Sequence, residues 1–305
     1  MKLYDIAREM RPRQWTKNLL VFAAFFFAIG DRTQSVDHPN AFFMALAAAC
    51  LFCLVSSAIY IFNDIQDAAL DRAHPIKRNR PVASGAISVP FAGAFMVVLF
   101  AAGLAGAWLL MPEFALIVLC YVALQIVYTL WLKKVALVDV FVIALGFVLR
   151  AVAGAVVCGV EISDWLLICA FLMALFLGLC KRREEIRLGE ADTVAGFRPS
   201  LLQSDERLLD QLIAVAAAAT VVSYAVYTQS QDTVAKFGTR RLALTIPFVL
   251  FGIFRYLDLV YRHFKGGEPE YILLTDAPLL ADIALYGAAV ILVIKGASIS
   301  AFIGL

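Results

Sequence analysis

An amide and three carboxylates, Asn63, Asp64, Asp67 and Asp71, close the apolar run 41–62, and the cations Lys77, Arg78 and Arg80 follow directly. If the run continues as a helix, Asn63, Asp67 and Asp71 fall at i, i+4 and i+8 and share a face, with Asp64 beside Asp67. Carboxylates this close repel strongly in a medium poorer than water, so the spacing asks for positive charge among them. Oxygen-rich clusters of this kind suit Mg2+, which keeps waters and takes its remaining ligands from substrate phosphates. Lys77, Arg78 and Arg80 could grip such a phosphate from the other side. Residue types and spacing together read as a metal-pyrophosphate site, with Asn63, Asp67 and Asp71 as ligands and Asp64 in support. The competing reading, a solvated loop after a membrane helix, is weakened by the helical spacing of the acids.

The elements that must position these groups are membrane helices. Of 305 residues, 62% are hydrophobic and only 16% charged, a balance that excludes an ordinary soluble domain. Apolar runs occur at 19–29, 41–62, 90–110, 114–132, 135–157, 165–180, 212–227, 242–261 and 278–294. That makes nine candidate spans near the length a bilayer demands, about twenty residues, the first being the shortest. Residues 1–16 read as an interfacial segment, with Leu3, Ile6, Ala7 and Met10 on one side of a helix. With nine spans, the loops sharing a side with the N-terminus hold roughly twenty of the 26 Lys and Arg residues, which makes that side, and the acidic stretch, cytoplasmic. No domain boundary is visible, so the chain reads as one transmembrane domain over 1–305. The six cysteines lie in or beside apolar runs and form no disulfide or metal framework.

Three further groups carry charge into or beside the membrane. Lys181, Arg182 and Arg183 end the sixth run; they serve either as positive-inside anchors or as a clamp on an anionic headgroup. Lys133 and Lys134 stand between the fourth and fifth runs, where topology alone accounts for them and contact with substrate is an equal alternative. Arg150 lies inside the fifth run, where an ionised side chain demands a polar cavity or a partner. No nucleic-acid signature appears, and no Ser/His/Asp or Cys/His arrangement can be assembled.

Asn63-Asp64-x-x-Asp67-x-x-x-Asp71 followed by Lys77-Arg78-x-Arg80-Pro81 resembles the first aspartate-rich motif of the UbiA superfamily of intramembrane prenyltransferases. The segments Arg11-Pro12-Arg13-Gln14-Trp15-Thr16-Lys17-Asn18, Lys181-Arg182-Arg183 and Leu273-Leu274-Thr275-Asp276-Ala277-Pro278-Leu279 are similar, more narrowly, to the decaprenyl-phosphate phosphoribosyltransferase branch. The resemblance implies an all-α membrane fold of nine transmembrane helices around a central cavity, open to the cytoplasmic side and laterally to lipid. It implies Mg2+ as cofactor, phosphoribosyl pyrophosphate and a polyprenyl phosphate as substrates, a role in arabinan cell-wall precursors, and residence in the inner membrane. Homo-oligomerisation is left open. On that reading Asp64, Asp67 and Asp71 are catalytic, and Lys17, Asn63, Lys77, Arg78, Arg80, Lys133, Lys134, Lys181, Arg182 and Arg183 bind substrate. The superfamily's second aspartate-rich motif is replaced here by Lys181-Arg182-Arg183-Glu184, which exchanges a metal site for a direct anion site. An aromatic prenyltransferase using the first motif for a prenyl pyrophosphate is the nearest alternative, and a transporter the non-enzyme one.

Overall fold

The computed structural model describes residues 3–34, 36–73, 77–187, 205–263, 266–267 and 269–303; His74, Pro75 and Ile76 of the basic tail lie outside them, as do residues 264, 265 and 268 of the last loop. Every regular element described is helical. A short helix α1 (Leu3–Glu9) leads into a 3-10 stretch (Pro12–Phe22), α2 (Ala23–Ala28) and the long α3 (His38–Ala73). Then come α4 (Val89–Leu110), α5 (Pro112–Leu130), α6 (Val138–Cys158) and α7 (Asp164–Glu185). After the interval 188–204 follow α8 (Glu206–Gln229), α9 (Gln231–Phe237), α10 (Ile246–Tyr261), α11 (Pro269–Thr275) and α12 (Ala277–Ile303).

Prolines at the first turn of α4, α5 and α10 start those helices where a missing N–H costs nothing. Asp205 and Ser230 accept backbone N–H groups at the starts of α8 and α9, and Gly159, at φ 65°, ends α6. Eight helices among the described residues are long and apolar enough to cross a membrane. With 36 residues α3 is roughly 54 Å long, well beyond a hydrocarbon layer of about 30 Å, so its polar end projects past the apolar part still wound as helix.

The first of the nine expected spans is built differently. Run 19–29 is split between the 3-10 stretch and the six-residue α2, so it is not an α-helix of spanning length. The tighter winding lengthens it: at about 2.0 Å per residue before α2 and 1.5 Å within it, the pair still reaches about 31 Å. The N-terminal helix also differs in extent from expectation, ending at Glu9 rather than running to residue 16. Arg11 precedes a proline, which disfavours α-helix at that residue, and it turns into the left-handed region at φ 51°. Ile6 and Met10 lean on buried residues of α3 and α4.

The two largest of four buried clusters among the described residues join most of the long helices. Phe52, Phe114, Val118 and Ala153 join α3, α5 and α6 with Val21 of the 3-10 stretch, while Phe176, Leu209, Ile253 and Leu259 join α7, α8 and α10 to Val140 and Ala144 of α6. Helix α6 thus belongs to both halves. The 3-10 stretch lies so close to α6 that a Cβ on Gly154 would stand 1.9 Å from the Val21 carbonyl oxygen. Beyond α3 the basic loop folds back: Arg72 Nε donates to the Ala83 carbonyl at 3.2 Å, and the backbone N–H of Ile87 to that of Pro81 at 3.0 Å. That return brings Arg80 to the acids.

Candidate active site

The projecting end of α3 carries its polar residues on two sides. Successive i+4 steps drift by about 40° around a helix of 3.6 residues per turn, so Asp71 swings away from Asn63 and comes into line with Asp64. Asn63 and Asp67 face α5 and the turn after it: Asn63 accepts the Thr129 hydroxyl, and Asp67 pairs with Lys133 Nζ at 2.6 Å. Asp64 and Asp71 face the N-terminal segment and the returning loop, where Arg80 Nη1 bridges them at 3.0 and 2.6 Å and Arg11 adds a second ion pair to Asp64. Arg11 also lies 5.2 Å from the centre of the Tyr60 ring. The positive charge that the acids require is thus supplied by Arg11, Arg80 and Lys133. The expected single face of Asn63, Asp67 and Asp71 divides into two pairs.

Among the described residues no three His, Cys, Asp or Glu side chains converge to cage an ion by themselves. The donor chemistry nevertheless fits Mg2+: Asn63 and Asp67, one turn apart, offer an amide and a carboxylate oxygen and leave the other positions to water and phosphate. Asp71, the third expected ligand, lies about 12 Å along the helix from Asn63 and pairs with Arg80 Nη1 at 2.6 Å.

Glu9 belongs to the same cluster and carried no signal in the sequence beyond being one acid of an amphipathic helix. It is 1% exposed, and neither carboxyl oxygen has a hydrogen-bond partner among the described residues. Burial first, then the charge of Asp64, push its carboxyl up to about 7, against the pull of Arg11 and Arg80. Folded Glu9 therefore keeps its proton to about pH 7 while the unfolded chain releases it near 4.5, so stability falls as pH rises through that window. Glu9→Gln is expected to raise the thermal midpoint at about pH 8 and leave it nearly unchanged at about pH 4.5. Melting curves in detergent at both pH values check this; an equal shift at the two would rule out the buried acid as the cause.

Of the other expected binding residues, Lys17 is half-buried on the 3-10 stretch, within electrostatic reach of Tyr121. Lys77 is half-buried, while Arg78 and Lys134 are exposed. The α7 cluster is matched by acids. Arg182 donates to Asp139 at 2.7 Å and pairs with Glu185, while Arg183 pairs with Asp210 at 2.5 Å and Glu206 at 3.0 Å and lies 4.3 Å from the Tyr261 ring centre. Arg183 Nη1 alone of that cluster is a buried donor with no hydrogen-bond partner among the described residues. Arg182→Ala strands Asp139, itself 2% exposed, and is expected to destabilise the fold by about 3–5 kcal/mol. The double change Arg182→Met with Asp139→Leu should recover most of that in thermal unfolding, a recovery that a purely substrate-binding arginine would not show.

Eight long apolar helices packed on shared hydrophobic clusters, with paired acids and cations beyond the apolar part of α3 and at the end of α7, define a multi-pass membrane protein. The chain belongs to the UbiA prenyltransferase family, whose sequence pattern matches residues 19–263. It is 36% identical over 289 residues to the decaprenyl-phosphate phosphoribosyltransferase of Mycobacterium tuberculosis, covering 93% of this chain and 94% of that one. It is 35% identical over 276 residues to the enzyme of the same name from Corynebacterium glutamicum, with 89% and 81% covered. A UbiA homolog from Archaeoglobus fulgidus bound to GPP and Mg2+ shares the fold, with a TM-score of 0.70 at 21% identity over 95% of this chain and 99% of that one.

Proposed function

We propose that the protein transfers the 5-phosphoribosyl group from phosphoribosyl pyrophosphate to a polyprenyl phosphate, at the cytoplasmic face of the inner membrane, and releases pyrophosphate. The observation that carries this reading is the near end-to-end match to two phosphoribosyltransferases of that name. The local chemistry agrees, since the end of α7 offers guanidinium groups where a second acidic motif would serve a prenyl pyrophosphate.

Asn63 and Asp67 would hold the ion, and Asp71 with Asp64 fixes Arg80 and Arg11 within reach of the same phosphates. Bound Mg2+ supplies charge neutralisation to the pyrophosphate. Arg80, Arg11, Lys133 and Lys17 orient the donor so that the bond from ribose C1 to the pyrophosphate oxygen is exposed to the acceptor. That bond breaks with its electron pair leaving on pyrophosphate, and a new C1–O bond forms to the lipid phosphate. The acceptor oxygen is already ionised at neutral pH, so no general base is needed, in keeping with the absence of a Ser/His or Cys/His pair in the sequence. Lys181 and the spare Nη1 of Arg183 meet the lipid headgroup; Arg182, saturated by Asp139 and Glu185, holds α7 to α6. Exclusion of water by the surrounding helices protects the donor from hydrolysis.

Purified protein given labelled phosphoribosyl pyrophosphate and decaprenyl phosphate should form a lipid-soluble phosphosugar that depends on Mg2+. A parallel reaction with prenyl pyrophosphate and hydroxybenzoate should give no product. The reverse result would replace this reading with aromatic prenyl transfer.

A further inference from the structure

Arg150 is 4% exposed and sits about 18 Å along α6 from its Val138 end. Unlike Arg182 and Arg183, it has no carboxylate partner among the described residues. Its guanidinium donates from Nε to Asn18 Oδ1 at 2.8 Å, from Nη1 to the Gly146 carbonyl at 2.8 Å and from Nη2 to the Tyr121 hydroxyl at 2.9 Å. Three of five N–H donors are thereby used, and Tyr121 retains its own proton to donate. The ring centres of Tyr121, Phe147 and Phe52 lie 4.7, 5.6 and 5.9 Å from the guanidinium carbon. Aromatic faces and neutral dipoles soften the cost of a buried cation but leave its full charge in place.

Polar side chains on α5 lie between this cation and Asn63. Tyr121, Gln125 and Thr129 step along α5 at i, i+4 and i+8, turning about 80° from first to last, and Thr129 meets Asn63 about 12 Å along the helix from Tyr121. Midway, residue 146 is glycine: a Cβ there would lie 3.1 Å from Gln125 Nε2 and 3.5 Å from Arg150 Nη1.

We propose that Arg150, with Tyr121 and Gln125, forms a second anion site within the membrane layer that takes a phosphate monoester. Resting on the reaction above, this assignment has two sources for the group: the phosphate that the sugar donor carries across the pentose from its pyrophosphate, and the headgroup of the lipid acceptor. A donor anchored at both ends would present C1 between the sites.

Binding of ribose 5-phosphate, pyrophosphate and decaprenyl phosphate to purified protein is measured by calorimetry for wild type, Arg150→Met, Arg150→Lys and Gly146→Ala. The expected result is a loss of about 10- to 100-fold in affinity for ribose 5-phosphate in Arg150→Met, with pyrophosphate nearly unchanged. Gly146→Ala, which keeps the arginine and its charge, should show the same selective loss. A selective loss for decaprenyl phosphate instead supports the site and assigns it to the acceptor. Should Arg150→Met fail to fold, Arg150→Lys and Gly146→Ala carry the comparison. Unchanged affinity for both monoesters in the folded variants overturns the proposal and leaves Arg150 a tie between helices. Because binding is read without turnover, failure of phosphoribosyl transfer in the wild type would count against the reaction and not against this site.

Discussion

Asp67→Asn is expected to lower phosphoribosyl transfer by about 10²- to 10³-fold while leaving the protein folded. Two observations separate the effects. Asp67 is the more exposed of the acids on this helix end, its side chain 28% accessible, and its ion pair with Lys133 is partly wet, worth at most about 1 kcal/mol. In the proposed reaction its carboxylate is also the member of the Asn63–Asp67 pair that would bring negative charge to a metal ion, so the isosteric amide would remove affinity without removing shape. Asp64→Asn makes the contrast, because Asp64 is 2% exposed between Arg11 and Arg80, and its neutralisation removes the ion pair of Arg11 and leaves Arg80 with Asp71 as its one remaining carboxylate among the described residues. Single-turnover transfer of labelled donor to decaprenyl phosphate, run beside thermal unfolding, reads both quantities. Near-normal turnover in Asp67→Asn would end the metal role, and a large fall in its thermal midpoint would recast the residue as structural.

Helical spacing and hydropathy carry far in this chain because a bilayer leaves so few alternatives: a long apolar run must be a helix, and its backbone must be satisfied within itself. Eight of the nine runs therefore read directly as spanning helices, and the acids at 63–71 as the continuation of α3. The first run differs in its winding, which run length does not specify. Pro12 starts the 3-10 stretch, and its buried Asn18 ties it to Ser56 of α3 and Arg150 of α6, contacts that no local pattern encodes. Among the charges, counting by loop places the acids and cations at one end but cannot pair them. Arg182 and Arg183 have the composition of a phosphate clamp, yet apart from Glu185 their acids lie at 139, 206 and 210, far along the chain. Arg11 was visible within a motif but not as the partner of Asp64, 53 residues away. Thr129 gave no signal at all, since a threonine in an apolar helix is ordinary until an asparagine faces it.

Gly154→Ala is expected to lower both stability and transfer, although the residue lies far from the acids. The added Cβ would meet the Val21 carbonyl oxygen at 1.9 Å and its carbonyl carbon at 2.8 Å, and the obstacle is backbone, which cannot rotate aside. Overpacking of this kind costs about 1–3 kcal/mol, and relief requires the 3-10 stretch to move off α6. Asn18, one turn before Val21, then loses its bond to Arg150, and Trp15 strains its bond to Ser57 Oγ, 3.1 Å in the undisturbed chain. Lys17 travels with them, so in the proposed reaction the donor would lose a phosphate contact even where the acids stay in place. Gly93→Ala is the control: nothing lies within 4 Å of its added Cβ, and the better helix propensity of alanine should leave stability equal or higher by up to about 1 kcal/mol. Thermal unfolding should place Gly154→Ala several degrees below both wild type and Gly93→Ala, with a raised KM for phosphoribosyl pyrophosphate. A midpoint and KM equal to wild type would show that the 3-10 stretch can shift without consequence, and that its contact with α6 does not position Lys17.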